Sequence, residues 1–147
     1  MSAAHGGFVG IRACVFDAYG TLLDFNSAAA GAADTLLQIA DDPDLAPVYR
    51  RIARFKALGL QAGNAPAAER RAGYEELSVP GSDLRLLADE QIALTFIEEG
   101  ETDQALEVLR GIVQDAEVTP GLRQRVSQVM VALGADPAAS GDAPAGE

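Results

Sequence analysis

From residue 27 to residue 133, apolar residues recur every three or four positions, and turn-forming Gly, Pro and Asp residues interrupt them at intervals. This spacing places apolar side chains on one face of an α-helix. The pattern therefore predicts six helices in this part of the chain. Their predicted bounds are residues 27–40, 45–62 and 66–77, then Ser82 or Asp83 to Gly100, Thr102 to Ala116, and Thr119-Pro120 to Leu133.

Residues 11–16 depart from the helical pattern. The sequence IRACVF is short and mostly apolar, contains β-branched and aromatic residues, and is followed directly by Asp17. It predicts a buried strand. The last residues are rich in Gly, Ala, Pro and Asp, a composition that predicts disorder. We therefore divide the chain into an N-terminal fragment over 1–34 that is not an independent domain, a helical domain over 35–134, and a disordered tail over 135–147.

A repeated tripeptide indicates how the helices are organised. Val79-Pro80-Gly81 and Thr119-Pro120-Gly121 stand about 40 residues apart, a period typical of helical solenoids. Each tripeptide follows a predicted helix and precedes another. The predicted fold class is mainly α: a short solenoid of antiparallel helix pairs, capped by the helix at 27–40, with one N-terminal strand or extended segment.

Residues 87–119 resemble the tetratricopeptide motif of small and large positions. Ile92 and Ala93 stand where that motif has Leu-Gly, Phe96 where it has Tyr, Gly100 at the turn, Ala105 at the small crossing position and Leu109 at the aromatic one. Small residues at a crossing let two helices approach closely. The leading Trp of the motif is missing, and its closing Pro comes late, as Pro120.

Over residues 35–135 the chain resembles the tetratricopeptide-like domain of ancillary Sec translocon subunits. The resemblance rests on LAPVYRRIARFKALGLQAG and on the stretch from SDLRLLADEQ to VSQVMVALG. It implies a scaffold or adaptor that binds a protein or peptide partner, without catalytic activity and without a cofactor or metal. Members of that family carry an N-terminal membrane anchor and hold the repeat domain outside the cytoplasm. This sequence has no run of 18 apolar residues, so we expect no membrane span and a cytoplasmic protein.

Residues 11–34 resemble a different family. The stretch IRACVFDAYGTLLDFNSAA is similar to the opening of L-2-haloacid dehalogenases, members of the haloacid dehalogenase-like superfamily. The resemblance implies that Asp17 is a nucleophile and that Thr21 is the hydroxyl residue of the motif. Tyr19 stands where the magnesium-dependent phosphatases of the superfamily carry a second Asp, which favours a dehalogenase without a metal. Such a carboxylate displaces the leaving group of a 2-haloacid and forms an ester that water then opens.

The alternative function is therefore a haloacid dehalogenase-like hydrolase, but its other parts are missing from the sequence. A carboxylate nucleophile needs a cation, a group that activates water and a supporting sheet. Lys56, the only lysine, lies in a predicted helix beside arginines, and no later segment has the pattern of a strand. We therefore favour the binding module, and we interpret the chain as a dehalogenase-like start joined to a repeat domain.

Charge narrows the range of partners. The chain carries 11 basic and 22 acidic residues, for a net charge of −11, which opposes binding to nucleic acid or anionic lipid. Residues 45–77 carry six basic and three acidic side chains, whereas residues 83–117 carry two basic and ten acidic ones. This polarity would orient a partner or allow self-association, and it would also serve solubility alone.

Three further features are the single cysteine, the single histidine and a group of carboxylates around Gly100. Cys14 is the only cysteine, which leaves no intrachain disulfide and no Cys-based metal site, and His5 is the only histidine. The carboxylates around Gly100 have three alternative interpretations: a calcium site, a docking patch for basic partners or a solvated acidic turn. Their spacing does not match an EF-hand loop, which favours the solvated turn. These carboxylates are Glu98, Glu99, Glu101, Asp103 and Glu107.

Overall fold

The computed structural model of the chain describes residues 28–137. Six helices form this part, which contains no strand. They are α1 over residues 28–41, α2 Pro47–Leu60, α3 Ala67–Glu75, α4 Arg85–Glu98, α5 Thr102–Gln114 and α6 Pro120–Ala132. The predicted mainly α class is confirmed for this part of the chain. The predicted strand at 11–16, with Asp17 and Thr21, lies outside the described residues.

The start of α6 shows how a helix N-terminus is fixed by local chemistry. The Thr119 hydroxyl accepts a hydrogen bond from the backbone N–H of Leu122 at 3.3 Å, and Pro120 occupies the first turn. Both residues suit these positions, because the first N–H groups of a helix lack intrahelical acceptors. Thr102, which the sequence predicts as a cap, is instead the first residue of α5, and Glu101 precedes it without a capping side chain.

Two helices end in the same way. After α4 and after α6 the chain turns through a glycine with a positive φ, 79° at Gly100 and 81° at Gly134. In each case the glycine N–H bonds to the carbonyl three residues earlier, and the next N–H bonds to the carbonyl five residues earlier. The four bonds are Gly100 N to Ile97 O at 3.0 Å, Glu101 N to Phe96 O at 2.9 Å, Gly134 N to Val131 O at 2.9 Å and Ala135 N to Met130 O at 2.9 Å. These two Schellman motifs are about 34 residues apart.

The helices pack mainly against their neighbours in sequence. α3 and α5 both contact α4, while α6 contacts α5, and α2 contacts α3. Two core clusters result. One, at α2, α3 and α4, comprises Leu58, Tyr74, Leu77, Ala88 and Ile92. The other, at α4, α5, α6 and the connection before α6, comprises Ala93, Leu109, Ile112, Val118, Leu122, Val126 and Met130.

Buried positions recur along the described part of the chain at a nearly constant spacing of about 34 or 35 residues. One such interval leads from Ala53, Ala57 and Leu58 of α2 to Ala88, Ile92 and Ala93 of α4, all buried. A second leads from Ala88 and Ile92 to Leu122 and Val126 of α6. The same interval leads from Arg70 and Tyr74 of α3, and from Leu77 just after it, to Ala105, Leu109 and Ile112 of α5.

The tripeptides that define the predicted period are not structurally equivalent. Gly81 has a φ of 81° and lies in a turn, and α4 begins only at Arg85. In contrast, Pro120 and Gly121 are the first two residues of α6. The two tripeptides thus mark different structural positions, a turn in one case and a helix start in the other. The shorter spacing of the buried residues, in contrast, relates positions that are buried in every helix concerned.

Candidate protein-binding face

α2, α4 and α6 lie side by side. Leu58 of α2 shares a core cluster with Ala88 and Ile92 of α4. Glu90 of α4 accepts two hydrogen bonds from Arg125 of α6, from Nε at 2.5 Å and from Nη2 at 2.7 Å. Through these contacts α2 and α6 each lie beside α4, and we call the three helices the layer. α3 and α5 also pack against α4.

This layer leaves one side of its helices uncovered. On α4 three residues lie on the side opposite to Phe96, because they are three or four positions apart. They are Leu87, Gln91 and Leu94, and all are half-buried. The recurrence of the buried positions identifies the corresponding positions on α2 and α6. We call the resulting surface the binding face; it comprises Ile52 and Lys56 of α2, Leu87, Gln91 and Leu94 of α4, and Arg125 and Gln128 of α6, together with Tyr49, which lies one helical turn before Ile52.

The binding face presents apolar surface to solvent. Tyr49 is 62% exposed. Ile52 and Leu94 are half-buried and contribute to neither core cluster, although Leu87 packs against the second. Tyr49 and Ile52 follow the apolar spacing of α2, yet Tyr49 is mostly exposed. Ala53 of the same helix is buried, and its short side chain permits a close crossing.

The charge of the binding face is positive on α2 and balanced on α6. Lys56 is exposed. The Arg125 side chain is 54% exposed, whereas that of its partner Glu90 is only 8% exposed. The hydrogen bonds from Arg125 to Glu90 raise the pKa of Arg125, against the opposing effect of desolvation. Glu90 therefore fixes the guanidinium beside the face through Nε and Nη2, and within residues 28–137 no acceptor bonds its second terminal nitrogen, Nη1.

Ion pairs between α3 and the end of α4 occupy part of the predicted acidic cluster. Arg70 is buried and pairs with Glu98. Arg71 pairs with Glu99 at 2.5 Å and lies 4.2 Å from the ring centre of Phe96. Within residues 28–137 no group of three or more His, Cys, Asp or Glu side chains is arranged to hold a metal ion. All three remaining acidic residues of the cluster are exposed, namely Glu101, Asp103 and Glu107.

A cleft of about 400 Å³ adjoins the binding face at Leu87. It lies between the start of α4 and the connection from α5 to α6, and its lining includes Leu86, Leu122 and Arg85. The Arg85 guanidinium donates to Asp115 at 2.9 Å and to Glu117 at 2.6 Å, and these bonds raise the pKa of Arg85. Because its charge is balanced within the chain, Arg85 closes the α5–α6 connection onto α4 and offers no free cation to a ligand.

The sequence did not identify the residues of the binding face as a site. Asp17 and Thr21, the predicted catalytic residues, lie outside the described residues, as do His5 and Cys14. In the sequence, Lys56 was considered only as the lysine that a dehalogenase would need, and its place in a predicted helix beside arginines did not suit that role. The missed signal was the spacing of Lys56, Gln91 and Arg125, which matches that of the buried positions and is visible only once those positions are known.

No helix within residues 28–137 combines the length and the apolar character that crossing a membrane requires. Comparison with known proteins found no family model, no curated protein and no solved structure that matches the chain.

Proposed function

We propose that the helical part of the chain is a tetratricopeptide-like scaffold or adaptor that binds segments of other proteins and has no catalytic activity of its own. The observation that carries this proposal is the regular recurrence of buried positions in α2–α6. The identical glycine turns after α4 and α6 support it with the same spacing. Helical repeats of about 34 residues are tetratricopeptide-sized.

A repeat array is suited to binding because the side chains that form its core contact only the neighbouring helices. The side chains on the uncovered side are then free to contact a partner. Here that side is the binding face, with exposed Tyr49, half-buried Ile52 and Leu94, and polar groups from all three helices. Aromatic and apolar side chains surrounded by polar groups are the usual anchors of protein interfaces.

The binding face can be tested with peptides selected from a displayed random library on the full chain. Tyr49→Asp and Leu94→Gln should weaken the selected peptides at least about tenfold, the loss expected for an interface anchor. Val79→Asp is the matched control, since Val79 is 45% exposed but lies between α3 and α4. Fluorescence anisotropy gives the affinities. Binding that is insensitive to both face variants, or equally sensitive to the control, would contradict the proposal.

The alternative function is a hydrolase of 2-haloacids that uses Asp17 as nucleophile and Thr21 as the hydroxyl of its motif. Only the motif in residues 11–34 favours it. We expect no chloride release from 2-chloropropionate by the full chain. Turnover that disappears in Asp17→Asn would restore the enzyme, whereas turnover that persists in that variant would come from a contaminant.

A further inference from the structure

The side of α6 that faces away from the core carries no charge. α6 buries Leu122, Val126 and Met130 on one side. The opposite side carries four residues at helical spacing, which line a shallow depression of about 320 Å³. We call them the α6 stripe; they are Gln124, Ser127, Gln128 and Val131. Ser127 is half-buried and the other three are exposed, with Val131 at 61%.

The corresponding positions of α4 are covered by the helices that follow it. The interval of about 34 residues that relates buried positions of α4 and α6 leads from Glu90 to Gln124. It also leads from Ala93 to Ser127. The Glu90 carboxylate faces α6 through Arg125, and the Glu90 side chain is only 8% exposed. Ala93 is fully buried in the core cluster that α6 completes. Within residues 28–137 no helix follows α6, so the α6 stripe lies where a further helix would pack.

The chemistry of the α6 stripe suits a second copy of the same stripe. None of its four residues is charged, and α6 contains no acidic residue. A charged partner would lose hydration there without gaining an ion pair from the stripe. Glutamine amides and serine hydroxyls both donate and accept hydrogen bonds, so two identical stripes can satisfy each other. Exposed Val131 adds apolar surface that such a contact would remove from water.

We propose that two copies of the chain associate through the α6 stripe, with their α6 helices antiparallel about a twofold axis. A twofold axis brings the same patch of both copies together, as in most closed dimers. Ser127 lies next to the axis, where a small side chain lets the helices approach closely. Gln124 then lies opposite Val131 of the second copy. This inference goes beyond the proposed function, since the α6 stripe shares only Gln128 with the binding face.

Charge favours the antiparallel orientation over the parallel one. Arg123 is exposed beside the α6 stripe, and a parallel pair would bring the two Arg123 guanidinium groups side by side. In the antiparallel pair the two Arg123 residues lie roughly 13 Å apart along the helix axis. That distance exceeds the length of about 8 Å over which charges act at physiological ionic strength. The antiparallel pair therefore avoids a like-charge contact.

The size of the α6 stripe makes the dimer weak. From Gln124 to Val131 the helix rises by roughly 10 Å, so the contact is smaller than the roughly 800 Å² per partner of a stable complex. We expect a dissociation constant of about 0.1–1 mM. Each copy also carries a net charge of −11, and added salt screens this repulsion. The dimer should therefore strengthen as salt is added.

The first test measures the mean mass of the full chain by small-angle X-ray scattering between about 0.05 and about 1 mM. The mass should rise toward that of a dimer, more steeply at about 0.5 M than at about 0.05 M salt. Val131→Asp should weaken the association at least about tenfold, because it places a carboxylate without a partner in the contact. Val79→Asp is the matched control, since it adds the same charge at a residue that is 45% exposed between α3 and α4. It should associate like the wild type.

The second test measures the orientation by disulfide cross-linking, in chains that also carry Cys14→Ala. A mixture of Gln124→Cys and Val131→Cys should give a linked dimer with one chain of each kind, because the antiparallel pair places these positions opposite each other. The yield should be at least about tenfold above that of either variant alone or of Val79→Cys mixed with Val131→Cys.

Contrary results overturn the inference in distinguishable ways. A mean mass that does not change with concentration, or that rises equally in Val131→Asp, would show that the α6 stripe is not an interface between copies. An equal loss in Val79→Asp would assign the effect to net charge, and a loss in Tyr49→Asp would move the contact to the binding face. Links within Gln124→Cys alone would mean a parallel pair. If the protein stays monomeric while library-selected peptides lose affinity in Val131→Asp, the occupant is a segment of another protein.

Discussion

Gly73 lets α3 approach Leu58 of α2 closely. A Cβ at Gly73 would lie 2.7 Å and 2.9 Å from the two Cδ atoms of Leu58, a buried side chain with little room to move. Gly111 in α5 has nothing within 4 Å of the same position. Alanine favours a helix over glycine by about 1 kcal/mol, so Gly111→Ala should stabilise the protein. Gly73→Ala should be less stable than Gly111→Ala by about 1–3 kcal/mol, because of overpacking against Leu58. Urea unfolding measures both, and equal stabilities would mean that α2 and α3 are farther apart.

The two threonines at helix starts form a second matched pair. Thr119 caps α6 through its hydroxyl, whereas Thr102 begins α5 without a capping bond. Thr119→Ala should cost about 1 kcal/mol. Thr102→Ala should change the free energy of unfolding by less than about 0.5 kcal/mol. If thermal melts showed the larger loss for Thr102→Ala, the boundary of α5 would be misplaced by one residue.

Asp115 links the α5–α6 connection to α4, and its protonation should weaken that link. The hydrogen bond from Arg85, together with one from the backbone N–H of Glu117, holds the pKa of Asp115 below its usual range. A lowered pKa in the folded state gives stability that is fully present above the unfolded pKa, about 3.9, and is lost as the pH falls through the folded pKa. The stability difference between the wild type and Asp115→Asn should therefore be constant above about pH 5 and shrink below about pH 4. Urea unfolding between these conditions measures it, and a difference unchanged at acidic pH would contradict the role of this carboxylate.

At the scale of elements, the sequence predicted helices well and their buried faces less well. The spacing of apolar residues and the Pro, Gly and Thr signals located all six helices of residues 28–137, and the apolar positions Ala93, Ala105 and Leu109 are buried. On α2, however, alanines are buried while Tyr49 is exposed, because helix crossings select small side chains that hydrophobicity alone does not favour.

The ion pair between Glu90 and Arg125 fastens α6 to α4. Arg125→Leu leaves a nearly buried carboxylate without its partner, and we expect a loss of about 1–3 kcal/mol. Replacing both residues by Leu should recover part of this loss, since an apolar pair removes the need to desolvate a charge. Arg123→Leu, at an exposed neighbouring residue, should change the free energy of unfolding by less than about 0.5 kcal/mol. A double variant no more stable than Arg125→Leu would mean that the carboxylate is solvated without its partner.

At the scale of the whole molecule, the binding face was beyond sequence reasoning. Lys56, Gln91 and Arg125 differ in chemistry, so no motif joins them, and their common position follows only from the spacing of the buried residues. The period of about 40 residues, taken from two similar tripeptides, stays a prediction. The shorter spacing of the buried positions is harder to see in the sequence, because it pairs Ala with Ala, Ile and Leu.

Hydrogen exchange of the full chain, with and without a library-selected peptide, distinguishes the binding face from the other surfaces of the helices. Backbone amides near a bound segment exchange more slowly when binding orders them. We predict slower exchange in α2, α4 and α6 around Lys56, Gln91 and Arg125, with α5 around Glu107 unchanged. Protection confined to the exposed side of α5, or equal protection across all helices, would contradict a binding face on the layer of α2, α4 and α6.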